Sequence, residues 1–120
     1  MDFPNQLAIL DRAMALSRVG GDSELLQEMA QIFLEEFPGQ MEAVREAVAT
    51  SDAKALERSA HSLKGSVGNF GATNAHEAAL ALELLGRRGE LVEVEHALER
   101  LERAIYELRP AMENLAQSAV

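Results

Sequence analysis

Residues 53–70 read Ala53-Lys54-Ala55-Leu56-Glu57-Arg58-Ser59-Ala60-His61-Ser62-Leu63-Lys64-Gly65-Ser66-Val67-Gly68-Asn69-Phe70. Leu56, Ala60, Leu63, Val67 and Phe70 recur at steps of four and three, the period of one buried helix face. Asp52 stands where an N-cap is expected, and Gly71 where a left-handed residue closes a helix. The stretch therefore predicts a helix from about Ala53 to Phe70. At about 100° per residue, His61 falls roughly 140° from the centre of the apolar stripe, which turns its ring to solvent. Lys54, Arg58, Gly65 and Gly68 lie on its side of the helix, with Glu57 and Lys64 flanking it.

Two glycines on the open face of a helix need a reason, since each costs about 1 kcal/mol relative to alanine. Gly65 follows His61 by four residues and is its direct surface neighbour, so its missing side chain leaves the imidazole uncovered. Gly68 extends the bare patch by another turn; fraying before Gly71 could account for Gly68 but hardly for Gly65. Lys64 brings an ammonium into the same space, where it suits an anion carried by the ring. Ser66 and Asn69 can add hydrogen bonds, or simply help to finish the helix. An exposed imidazole, a nearby cation and an uncovered approach are what phosphoryl transfer requires, because that chemistry rests on positioning and charge compensation.

Outward from this stretch the chain reads as helix throughout. Residues 5–18 carry Leu7, Leu10, Met14 and Ser17 at helical spacing and predict one short helix that ends at Gly20-Gly21. Asp22 or Ser23 caps the next helix, with Leu25, Met29, Ile32, Phe33 and Phe37 as its buried stripe. Pro38-Gly39 predicts a kink or break, after which Met41, Val44 and Val48 continue to about Thr50. Thr73 or Asn74 starts a helix whose alanines, Ala75, Ala78 and Ala79, permit close approach to a neighbour. Gly86 and Gly89 are expected to bracket a turn at Arg87-Arg88. Leu91, Val94, Leu98, Leu101, Ile105, Leu108, Met112 and Leu115 form a heptad-like seam, with a kink or end expected near Leu108, before Pro110. No strand-period segment or internal repeat appears. The reading is an all-α, antiparallel four-helix bundle with a short extra N-terminal helix, a single domain over residues 1–120.

Composition excludes several classes. The 120 residues include no cysteine, so a disulfide framework and a thiolate zinc site are both unavailable. No segment approaches the roughly 18 apolar residues of a membrane span, and Met1-Asp2-Phe3-Pro4 lacks the basic start and apolar run of a signal peptide. A cytoplasmic protein without direct membrane contact is expected, a monomer rather than a self-associating coiled coil. The formal charge of −9 disfavours nucleic acid as a partner. No Walker-type glycine-lysine sequence or kinase glycine loop provides an ATP site. Glu93-x-x-His96 matches half of a dimetal motif, but the second half is missing. His96 and His76 read as surface residues.

The segment His61-Ser62-Leu63-Lys64-Gly65-Ser66, followed by Asn69-Phe70-Gly71-Ala72, closely resembles the signature of histidine-containing phosphotransfer domains of two-component phosphorelays. Phe33-Leu34-Glu35-Glu36-Phe37-Pro38 resembles the helix end that precedes the motif in that family. Ala81-Leu82-Glu83, then Arg87-Arg88-Gly89-Glu90, resembles the segment that follows. The resemblance implies that His61 carries the phosphoryl group on Nε2, that Lys64 steadies the phosphate, and that Gly65 lets a receiver domain close over the ring. Ser66 would contribute a hydrogen bond, with Lys54, Glu57, Arg58, Gly68 and Asn69 on the partner surface. It implies response-regulator receiver domains as partners, with a hybrid sensor histidine kinase a further one, and no cofactor here, Mg²⁺ being expected on the receiver. The domain would be a phosphocarrier, not an enzyme with its own ATP site. Two other readings stand beside it: a helical adaptor without phosphotransfer, and the phosphorylated module of a chemotaxis-type histidine kinase.

Overall fold

The computed structural model describes residues 6–117. The stretch at 1–4 read for a targeting signal, and Asn5 at the start of the first predicted helix, lie outside the described residues. Six helices follow in order: α1 Gln6–Ile9, α2 Arg12–Arg18, α3 Ser23–Ala49, α4 Ala53–Gly68, α5 Thr73–Arg88 and α6 Val94–Gln117. No strand occurs among the described residues. The four long helices form a closed ring of interfaces, α3 on α4, α4 on α5, α5 on α6 and α6 back on α3. Short connections between them make successive helices antiparallel. No helix among the described residues is long and apolar enough to cross a membrane.

The turn between α3 and α4 shows how local chemistry fixes this arrangement. Ser51 takes a positive φ of 52°, and Asp52 N–H donates to the Ala47 carbonyl at 2.9 Å, closing α3 with a left-handed C-terminal turn. Asp52 then starts α4 at once, its carboxylate accepting from Ala55 N–H at 3.0 Å. One residue ends a helix and caps the next. Asp22 does the same capping for α3, accepting from Leu25 N–H at 3.0 Å.

Four expectations are corrected. The single N-terminal helix is two, because Asp11 spends its side chain capping α2 through Met14 N–H and its own N–H on the Phe70 carbonyl at 3.1 Å. That bond, together with Gly71 packed against Asp11, ties the N-terminal segment to the α4–α5 turn. In α3, Leu26, Ala30, Phe33, Phe37, Met41, Val44 and Ala47 are buried, whereas Leu25 and Ile32 are 42% and 51% exposed and Met29 is half-buried. The core takes the small Ala30 and Ala47 and leaves the larger side chains as a rim. Of the two outcomes expected at each proline, the break at Pro38 and the end near Leu108 do not occur, and α3 and α6 run on: both rings sit on exposed faces, beside buried Phe37 and Met41 and between buried Leu108 and Met112. Gly86 belongs to α5 rather than to a turn, and the helix closes at Gly89 with φ 67°.

Gly86 marks a close approach of α5 to α4. A Cβ there would meet Glu57 N at 2.7 Å and the Ala53 carbonyl oxygen at 2.8 Å, so α5 lies almost directly on the α4 backbone. Ala75, Ala78 and Ala79 are buried on the same side of α5, as their size permits. On α4, Leu56, Ala60, Leu63 and Val67 are fully buried, and Phe70 packs edge-on against Phe33 with ring centroids 5.8 Å apart. The opposite side of α4 is left open, with α5 running close alongside it.

Candidate functional site

His61 occupies that open side, its side chain 67% exposed. A Cβ at Gly65 would meet no atom within 4 Å, so the surface one turn beyond the imidazole is bare. Fixing the ring is a carboxylate from the next helix. Glu83 Oε2 lies 3.0 Å from His61 Nδ1, and Glu83 Oε1 lies 2.7 Å from Lys64 Nζ. Arg87, one turn along α5, donates from its guanidinium to Glu83 Oε2 at 2.9 Å and to Glu57 Oε2 at 2.9 Å. Glu83 is only 2% exposed and is the one charged residue buried among the described residues. A buried charge needs partners, and Glu83 has three.

The electrostatics decide the tautomer. Burial pushes the Glu83 carboxyl up, but hydrogen bonds and charge from Lys64 and His61 outweigh it, so its pKa lies below the ordinary value. Ionised, Glu83 can only accept. Nδ1 therefore carries a proton, so that in the neutral ring the lone pair sits on Nε2, the nitrogen not bonded to Glu83. The result is an imidazole oriented through Nδ1, beside an ammonium on a half-buried stem.

Not every residue read from the sequence converges here. Glu57 and Arg58 share with His61, Ser62, Glu83 and Arg87 one shallow depression between α4 and α5. Glu57 is held there by Arg87. Lys54 is exposed on the first turn of α4, away from the ring. Ser66 turns toward α3: Gln40 Nε2 donates to its hydroxyl at 3.1 Å, and the hydroxyl donates back to the Ser62 carbonyl at 3.2 Å. Gly68 does not prolong the bare patch. Arg18 donates to its carbonyl at 2.9 Å, and a Cβ there would press on the His76 ring at 3.3 Å. His76, expected at the surface, is accordingly half-buried, while His96 is exposed as expected. Asn69 is exposed at the end of α4, beside Met29, Ile32, Phe33 and Phe70.

Glu83 is the residue that reading the sequence for chemistry overlooked. Its signal was available: at four residues from Ala79 and three from Gly86, it falls on the small-residue face of α5, where an acid has no business unless it is paired.

Comparison with known proteins adds an independent line. Residues 28–117 match the family model of the Hpt domain. Among solved structures, the chain is similar to histidine-containing phosphotransfer protein B from Pseudomonas aeruginosa, with 27% identity and a TM-score of 0.82, covering 90% of this chain and 94% of that one. It shares its fold with the HPT domain of an Hpt sensor hybrid histidine kinase from Shewanella, with 20% identity and a TM-score of 0.82, over 95% of this chain and 99% of that one. No curated protein matches it.

Proposed function

This chain belongs to the Hpt domain family, whose role is histidine phosphotransfer in phosphorelays, and from that premise we propose that His61 is the residue that carries the phosphoryl group. Family membership does not favour the adaptor reading. The observation that carries the assignment is the Glu83 contact with Nδ1, which leaves Nε2 as the nucleophile. The donor is the phosphorylated aspartate of a receiver domain. Nε2 attacks phosphorus in line, the P–O bond to the aspartate breaks, and the carboxylate leaves with the electron pair. Lys64, held at the rim by Glu83, offers its ammonium to the transferred group. Gly65 lets the receiver approach to contact. Mg²⁺ belongs to the receiver in this reading: the one buried carboxylate beside His61 is already engaged by His61, Lys64 and Arg87.

The domain is then a carrier without an ATP site of its own, exchanging phosphoryl groups with one or more receivers, including that of a hybrid kinase. Its net negative charge supports a protein partner over nucleic acid. The test is transfer from phosphorylated receiver domains to the chain and to His61→Gln. Acid-labile phosphate on the wild-type chain and none on the variant is the expected result. Label that persists in His61→Gln would place the acceptor elsewhere.

A further inference from the structure

The contact between Glu83 and Nδ1 bears on the return step as much as on the capture of phosphate. When Nε2 forms its bond to phosphorus, the ring becomes an N-phosphorylimidazolium, and its positive charge is lost only if Nδ1 gives up its proton. The fate of that proton sets what must leave when phosphate moves on. With Nδ1–H in place, the receiver carboxylate attacks phosphorus, the Nε2–P bond breaks, and the pair returns to Nε2 of a neutral imidazole. Without it, the leaving group is an imidazolate anion, a far poorer one.

We propose that Glu83 is a positioning residue that keeps the Nδ1 proton on phosphorylated His61, so that the phosphohistidine stays a ready donor to receiver domains. The proposal rests on His61 being the phosphorylated residue. Its ground is geometric. Glu83 is fixed in place by Lys64 at 2.7 Å and Arg87 at 2.9 Å, and its Oε2 faces Nδ1 at 3.0 Å. A buried carboxylate that stays ionised is well suited to hold a proton on the ring it faces, since the attraction acts where water screens little. The other charged groups around the ring do not take this part. On α4, Glu57 is turned to Arg87 and Lys64 to Glu83, and Arg58 lines the same depression. On α5, Arg87 is divided between the two carboxylates. From α3, Glu36 borders the separate depression beyond Ser62. Of these groups, Glu83 is the one bonded to Nδ1.

The experiment follows discharge of the phosphorylated chain to an unphosphorylated receiver domain from pH 6 to pH 9, for wild type and Glu83→Gln. The amide keeps a hydrogen-bond acceptor but no charge. Wild type should discharge at a nearly constant rate. The variant should match it within about twofold at pH 6 and fall at least about tenfold behind by pH 9, as solvent removes the proton that the carboxylate had held. Superimposable profiles would overturn the proposal. Nitrogen-15 NMR of the wild-type phosphorylated chain gives a second reading that needs no variant: Nδ1 should remain protonated at pH 8, and a deprotonated Nδ1 there would overturn the proposal even if Glu83→Gln failed to fold. Absence of phosphate from His61 in wild type would overturn the functional assignment itself, a result distinct from either.

Discussion

Gly65 is the residue whose absence of a side chain has the clearest use. It lies inside α4, where glycine costs about 1 kcal/mol relative to alanine, and nothing stands within 4 Å of where its Cβ would be. No packing constraint explains it. What a side chain there would fill is the approach to His61. Gly65→Gln should therefore leave the bundle as stable or raise its stability by up to about 1 kcal/mol, while slowing phosphoryl transfer at least about tenfold. Thermal melts and transfer kinetics on the same preparation check both halves, and unimpaired transfer would remove the access argument. Glu83 presents the opposite case, a side chain whose burial makes sense only through Lys64, His61 and Arg87 together.

At the scale of elements, the site is a product of how closely α5 lies on α4. Gly86 allows the approach, and Glu83 stands three residues before it on the same helix. Gly86→Ala sets two effects against each other. Helix propensity favours alanine by about 1 kcal/mol. The added methyl, however, meets backbone atoms of α4 at 2.7 and 2.8 Å, which a side-chain rotation cannot relieve. Overpacking of this kind costs about 1–3 kcal/mol, so net destabilisation is expected, together with a shift of α5 that lengthens the Glu83–His61 contact. Urea denaturation measures the first, and slower phosphotransfer reports the second. An unchanged denaturation midpoint would show that the two helices have more room than their backbones indicate. The long helices α3 and α6 tolerate internal proline for a related reason: packing on both sides of Pro38 and Pro110 outweighs one missing backbone hydrogen bond.

For the whole molecule, the buried carboxylate couples stability to pH. The Glu83 carboxyl has a lower pKa in the folded chain than when exposed, so the unfolded chain binds its proton first as pH falls. Its contribution is fully present above the ordinary carboxylate range near pH 4 and is lost as pH drops through the lowered folded value. Unfolding free energy in urea should hold steady from neutral pH to about pH 5 and decline in acid. Glu83→Gln should be less stable at pH 7 by roughly 2 kcal/mol and decline less between pH 5 and pH 2. Equal declines would assign the acid sensitivity to other carboxylates. Much of this molecule is legible without coordinates. The stripe Leu56, Ala60, Leu63, Val67 and Phe70 is buried as its period requires, and His61 is outside for the same reason, because helix geometry alone sets both angles. The caps at Asp22 and Asp52 are equally local, each a side chain reaching a backbone N–H three residues on. What local chemistry could not decide is which of two adjacent apolar stripes of α3 faces inward, since that depends on the neighbours α4 and α6 and on where small residues let them approach. Nor could it pair Glu83 with His61 and Lys64 across 22 and 19 positions of sequence; only the crossing of α5 over α4 at Gly86 brings those charges together.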